Sequence, residues 1–357
     1  MSKENSTESN PSFDISKISE ETHSEFLKNK FYKSIIQKYK AHKHWWNKTE
    51  KIFSEIALSS NQLQNRQDHT ADWTYEKYCM DILSNPEFFK SFGLWALYQA
   101  VCKAEMSFLK DCSTPHIEVS LTACIIKELQ FRTEEIQNKY RDALIITDTH
   151  ISCSKLELQV QNREKYTGGD FGLLLEWKDS DGSINICPII FQAKRYVGDT
   201  VSLTQENKET GLQLETLQKS NCNPVYLFYN CDTKGTTSYP TLPTVKIASD
   251  IVRTFTIHGE KSVSSSILPA ETSPVQQVLS LSTFVLDITS NPKHYNTTSD
   301  RTTALGEMLS TAQECELAHI ITISTDSNAA SEYYETFKHL NHVASNKKKS
   351  KNTHSAI

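Results

Sequence analysis

Two short stretches decide the reading: Thr167-Gly168-Gly169-Asp170-Phe171-Gly172 and, beyond a turn, Ile190-Phe191-Gln192-Ala193-Lys194-Arg195. In an extended strand, residues two apart share a face. Gln192 and Lys194 therefore project together, while Ile189, Phe191 and Ala193 point the other way, into a core. A long amide and an ammonium inside an apolar strand call for an anionic neighbour, because burying an unpaired charge is costly. Asp170, at the start of the preceding strand, supplies one, and Gly168 and Gly169 allow a close backbone approach just before it. Asp179-Ser180-Asp181-Gly182 has hairpin-turn chemistry and joins the compact apolar run Phe171–Trp177 to the strand Ile184–Lys194.

Working outward, Ser113, Thr114 and Pro115 are helix-start residues, and Ile117, Leu121, Cys124, Ile125, Leu129 and Ile136 recur near a 3.6-residue period, predicting a helix over Ile117–Tyr140. Leu156, Leu158 and Val160 alternate as in a strand. Thr204–Lys219 reads as a helix and Pro224–Asn230 as a short buried strand. The order is therefore αβββαβ. A strand reached through a helix suits parallel placement in a mixed sheet. The fold class expected is α/β, with an all-α region ahead of this core.

The divisions expected are a disordered tail at 1–20, a helical N-terminal region at 21–112, the core at 113–255, a C-terminal α/β extension at 256–345 and a basic tail at 346–357. The first 20 residues hold six serines and four acidic residues and no apolar run, so no secretory signal is expected. Phe26, Phe31, Ile35, Ile36 and Tyr39 are spaced as on a helix, and 61–72 is polar and reads as a loop. In the extension, 257–275 is Ser/Pro-rich, strands are expected at Phe284–Ile288 and His319–Ser324, and helices at Thr302–Glu316 and Ala330–His342.

Composition narrows the classes. The 357 residues are 38% hydrophobic and 23% charged, enough for a packed core, and ten Gly and ten Pro exclude collagen-like or Pro-rich architecture. The apolar run from Phe92 to Cys102 falls short of the roughly 18 residues that span a bilayer. Nine cysteines, odd in number and without C-x-x-C spacing, read as reduced thiols of a cytoplasmic protein. The net charge of −5 requires any basic surface to be local. Such patches are the eight lysines between Lys28 and Lys51, interleaved with Tyr32, Tyr39, Trp45 and Trp46, and the tail Lys347, Lys348, Lys349 and Lys351. Both suit phosphate contacts, but the first reads foremost as a solvated amphipathic face with its aromatics turned to the core, and the second suits a disordered charged tail as well. His42 and His44 lie about 200° apart on a helix and do not make a joint metal site. No G-x-S-x-G elbow, P-loop or dinucleotide fingerprint is present.

A carboxylate, an amide oxygen and an ammonium converging at a sheet edge suit phosphoryl chemistry with a hard cation. Asp170 and Gln192 offer oxygen ligands to Mg²⁺ or Mn²⁺, and Lys194 can orient water or stabilise developing charge. A further carboxylate is wanted. Glu118, at the start of the preceding helix, is the first choice, Glu128 the second. Glu176, six residues after Asp170, is read as facing solvent.

At these residues the chain resembles the PD-(D/E)XK, restriction-endonuclease-like superfamily in its Mrr-type form, where Gln replaces the acidic residue of the (D/E)xK half. It also looks like bacterial proteins with a T-G-x-D … Q-A-K-R pattern followed by P-x-Y-x-x-Y-N, here Pro224, Tyr226, Tyr229 and Asn230. The resemblance runs from Glu118 to Asn230. It implies a metal-dependent endonuclease acting on DNA more readily than RNA, in restriction or anti-phage defence. Asp170, Gln192 and Glu118 would hold Mg²⁺ or Mn²⁺, Lys194 would be the catalytic lysine, and Arg195 with Lys347, Lys348 and Lys349 would contact the nucleic acid. A homo-oligomer, a regulatory protein partner and no membrane association are expected with it. The competing expectation is a catalytically inactive nuclease-fold subunit that binds nucleic acid or a protein partner.

Overall fold

The computed structural model describes residues 14–28, 51–52, 55, 84–112, 116–158, 171–179, 181–196, 200–203, 206–207, 211–231, 242–257, 271–274, 277–314, 317 and 319–340. Its helices are α1 (Ile15–Lys28), α2 (Phe92–Cys112), α3 (Glu118–Lys139), α4 (Arg141–Ile146), α5 (Gln213–Gln218), α6 (Ala248–Ile257), α7 (Leu281–Ser290), α8 (Arg301–Glu314) and α9 (329–340). The main sheet is built from β1 (Ser152–Glu157), β2 (Phe171–Lys178), β3 (Ile184–Tyr196), β4 (Asn223–Asn230), β5 (Thr244–Ile247), β6 (Leu279–Ser280) and β7 (His319–Ser324).

β2 and β3 form the expected hairpin, running antiparallel from Phe171 opposite Phe191 to Lys178 opposite Ile184. Asp179 N–H donates to the Ser183 carbonyl at 2.9 Å across its turn, and Gly182 adopts φ 83°, a left-handed value that favours glycine. β4 lies parallel to β3, with Gln192 beside Tyr226 and Lys194 beside Phe228. The seven strands are ordered β1-β7-β2-β3-β4-β5-β6. β7, from near the C-terminus, enters between β1 and β2, parallel to β2 and antiparallel to β1. The protein is thus mixed α/β around a seven-stranded mixed sheet, with helices preceding it.

Both sheet faces are covered. On one, Phe171, Leu173, Leu175, Phe191, Ala193 and Leu227 pack with α2, α3 and α7. On the other, Leu174, Ile190, Tyr226 and Phe228 pack with α5, α6, α8 and α9. Burial on both faces is why the central strands read as nearly continuous apolar runs. The apolar run Phe92–Cys102 is likewise core: it opens α2, whose Trp95, Ala96, Leu97 and Ala100 have no exposed surface. At Gly172 a Cβ would stand 2.4 Å from Met308 Sδ, so α8 presses directly on the start of β2. No helix among the described residues is long and apolar enough to cross a membrane.

Four expectations are corrected. Phe284–Ile288 is not a strand but the middle of α7; every residue from Leu281 to Thr289 is buried, which erases the amphipathic period, and β-branched residues imitate a strand. Its start signal is Ser280, whose Oγ accepts from Thr283 N–H at 3.2 Å. The helix expected over Thr204–Lys219 shrinks to Gln213–Gln218, preceded by a small ladder of Glu206–Asn207 on Gly211–Leu212. α1 begins at Ile15, inside the stretch expected as a disordered tail. α3 begins at Glu118 with Ile117 as its N-cap, and no side chain caps it. The lysine-rich stretch around Trp45 and Trp46, His42, His44, the loop at 61–72 and the tail with Lys347, Lys348 and Lys349 lie outside the described residues.

Candidate active site

β3 carries the centre of the site. Gln192 and Lys194 alternate with Phe191 and Ala193 and are only 2% and 7% exposed. They share the sheet face of Ile190 and Tyr196, against the layer that contains α8. The sequence-derived phase of this strand is therefore observed, and so is the depth at which its polar pair sits. Asp170, Gly168 and Gly169 lie outside the described residues. The residue after Asp170, Phe171, opens β2 opposite Phe191, and the two rings stack with centroids 4.8 Å apart.

Glu118 reaches the same end of the sheet from the other layer. It is the first residue of α3, where the helix dipole favours a carboxylate. Its Oε2 accepts the backbone N–H of Arg195 at 2.9 Å, one residue beyond Lys194. Burial pushes the Glu118 carboxyl above its ordinary range, against the opposing pull of the Arg195 N–H and the Lys194 and Arg195 charges. α3 is anchored there by Thr122 Oγ1 and Tyr229 OH, 3.0 Å apart, and Tyr229 in turn packs on Phe108 of α2. The second part of the quoted pattern thereby acquires a physical role: Tyr229 docks the helix that carries Glu118, and Tyr226 flanks Gln192.

Glu118, Lys194 and Arg195 are brought together, with Gln192 on the same strand. Glu128 is not among them. It sits on α3 roughly 15 Å along the axis from Glu118, and its Oε2 accepts from Arg132 Nε at 3.1 Å. Glu176 is corrected too: it faces neither solvent nor the site. It is fully buried at the opposite end of β2, where Arg301 donates to both its oxygens at 2.6 and 2.8 Å, and Ser324 Oγ and Tyr333 OH each add a bond at 2.9 Å.

One residue that sequence reasoning passed over joins the row. Lys246 of β5 is in register with Tyr226, itself in register with Gln192, so the three share a face. Its Nζ donates to Thr272 Oγ1 at 3.0 Å and to the Ser273 carbonyl at 3.3 Å. The signal was a lysine inside the alternating Thr-Val-Lys-Ile, the same anomaly that marks Lys194. Arg195 projects to the other face, partly exposed, beside Glu118 and the Cys231 sulfur.

The donors described here, a carboxylate and an amide, are oxygen ligands that fit a hard divalent cation better than a soft one. Glu118 accepts one hydrogen bond among the described residues, which leaves lone pairs for a further ligand. Among the described residues no three His, Cys, Asp or Glu side chains gather as a metal cluster. Compared with protein-family models, with curated proteins and with solved structures, the chain finds no match in any of the three.

Proposed function

We propose that this protein is a metal-dependent endonuclease with a restriction-endonuclease-like core, hydrolysing phosphodiester bonds in DNA more readily than in RNA. The observation that carries the reading is the bond from the Arg195 N–H to Glu118, which ties the helix carboxylate to the strand bearing Gln192 and Lys194. The sequence reading required Asp170, Gln192 and Lys194 at one sheet edge, with Glu118 as the further carboxylate. Asp170, Gln192 and Glu118 would hold Mg²⁺ or Mn²⁺, which when bound neutralises phosphate oxygen charge and acidifies its water. The chain's own contribution follows from its charges. The Lys194 ammonium orients the attacking water and stabilises charge on the phosphorane as one P–O bond forms and another breaks. Arg195, and the tail lysines Lys347, Lys348 and Lys349, supply phosphate contacts. A role in restriction or anti-phage defence, in the cytoplasm and under a regulatory partner, belongs to the same reading. So does a homo-oligomer, since cutting both strands of a duplex calls for two sites.

The test is incubation of supercoiled plasmid, single-stranded DNA and RNA with the full chain in Mg²⁺, Mn²⁺ or EDTA, beside Lys194→Ala. Metal-dependent cutting that falls about 100-fold or more in the variant is expected. Equal cutting by both proteins would overturn the reading. One observation favours a second reading, a binding subunit without cleavage: Gln192 is a neutral ligand and, with Lys194, nearly sealed from solvent. A subunit of that kind keeps its nucleic-acid affinity in Lys194→Ala and cuts under no condition.

A further inference from the structure

Three of the seven large apolar residues exposed among the described residues, Ile117, Val119 and Phe131, belong to α3 or its N-cap, at 66%, 44% and 54% exposure. Val119, Ala123, Lys127 and Phe131 follow one another at four-residue steps and all are exposed, so they form a single ridge along the helix. α3 turns its other side, with Leu121, Ile125, Leu129 and Ile136, to the core. Phe131 is held in place. The Arg132 guanidinium lies 4.9 Å from its ring centroid, and Arg132 is itself fixed by Glu135, by Glu128 at 3.1 Å and by Ser107 at 2.6 Å. An aromatic set in advance binds at low entropic cost. Lys127 and Glu134, both exposed, make no ion pair among the described residues.

We propose that this ridge is an interface between two copies of the chain, with α3 packed antiparallel on its mate across a two-fold axis beside Ile125. It gives a surface to the homo-oligomer of the proposed function but does not rest on cleavage. The register follows from the residues. Positions 119 and 131 are equidistant from 125, so Phe131 of each copy meets Val119 of the other, with Ile117 beside it, and the contact is made twice. Ala123 meets Lys127, whose aliphatic stem lies over the small side chain. Glu134 meets His116 at each rim, opposite in charge when the imidazole is protonated. Parallel packing would set Lys127 on Lys127 and Glu134 on Glu134, like charge on like. A ridge with one lysine and a neighbouring glutamate offers no cationic surface to a nucleic acid. With 22 residues, α3 presents a strip about 33 Å long and about 10 Å wide, less than a standard interface, so the dimer is weak and depends on concentration. The two Glu118 residues then stand about 21 Å apart along the pair, fourteen helical steps.

The experiment is sedimentation of the full-length protein over a range of concentrations, beside Phe131→Glu and Glu134→Lys. A monomer–dimer equilibrium is expected, with the dissociation constant raised at least about tenfold by Phe131→Glu and less by Glu134→Lys. Adding His116→Glu to Glu134→Lys should restore association, which tests the antiparallel register. Circular dichroism confirms that the variants fold. Cys124, a partly exposed free thiol one residue from the axis, is a built-in probe. A short bismaleimide should join Cys124 of one copy to Cys124 of the other, and the product should vanish in Cys124→Ser. A wild-type protein that stays monomeric at every concentration, a dimer unmoved by Phe131→Glu, or a Cys124 adduct formed only within its own chain would each overturn the proposal. Cutting plays no part in these readouts, so failure of the nuclease reading and failure of this one are separate results.

Discussion

The two ends of the hairpin β2–β3 treat a buried carboxylate differently. At one end Glu176 is enclosed by Arg301, Ser324 and Tyr333, and Arg301 also binds Asp326 and Glu332. Each of its oxygens is satisfied, and the charge is matched by a guanidinium held bidentately. At the other end Glu118 is half-buried, accepts one backbone N–H among the described residues, and feels two cations, Lys194 and Arg195, without a bidentate partner. A closed network stabilises a fold. A carboxylate whose ionisation is opposed by burial and which keeps free lone pairs gains by taking up a cation. The contrast separates a closed from an open carboxylate at the two ends of one hairpin, which residue type alone does not.

The largest expected effect tests the closed end. Arg301→Ala leaves Glu176 buried without its counter-charge and should cost ~3–5 kcal/mol, read as a fall in the urea midpoint. A loss within a few tenths would show that the network does not hold this end together.

A third carboxylate sharpens the comparison through pH. Glu105 of α2 is buried and caps the start of α7, accepting Ser282 N–H at 3.0 Å and Ser282 Oγ at 2.6 Å, with no cation in that set. Burial raises its pKa from 4.5 to about 8, against the hydrogen bonds. Between those two values the folded state binds the proton and the unfolded state does not, so stability falls as pH rises through that window. The slope is at most about 1.4 kcal/mol per pH unit. Urea melts from pH 5 to 8 should show the decline in the wild type and a flatter profile in Glu105→Gln.

The smallest effect on stability belongs to the open end. Glu118→Gln keeps an acceptor for the Arg195 N–H and should change stability by less than about 1 kcal/mol. It removes the charge, so Mn²⁺ affinity, measured by calorimetric titration, should fall at least about tenfold. Unchanged affinity with unchanged stability would remove Glu118 from the metal-holding set.

Legibility in the sequence followed the range of the interactions. The hairpin was readable because Asp179 to Gly182 is a local turn and the phase of Gln192 and Lys194 is a two-residue repeat. Glu118 was readable from its place at a helix start. Phe284–Ile288 was misread because a helix buried on all sides loses its period. Glu176 was misread because its partners Arg301 and Tyr333 lie 125 and 157 residues away.

By itself, then, the sequence determined the local grammar: which segments pair as neighbours, which face of β3 carries the polar pair, and that β4 returns parallel through a helix. Backbone periodicity and turn chemistry act over a few residues and are written there. Tertiary structure alone decided that β7 enters between β1 and β2, that α8 presses Met308 onto Gly172, and that one buried carboxylate is closed while the other stays open. Those outcomes depend on which distant surfaces exclude water together, and apolar burial carries no direction along the chain.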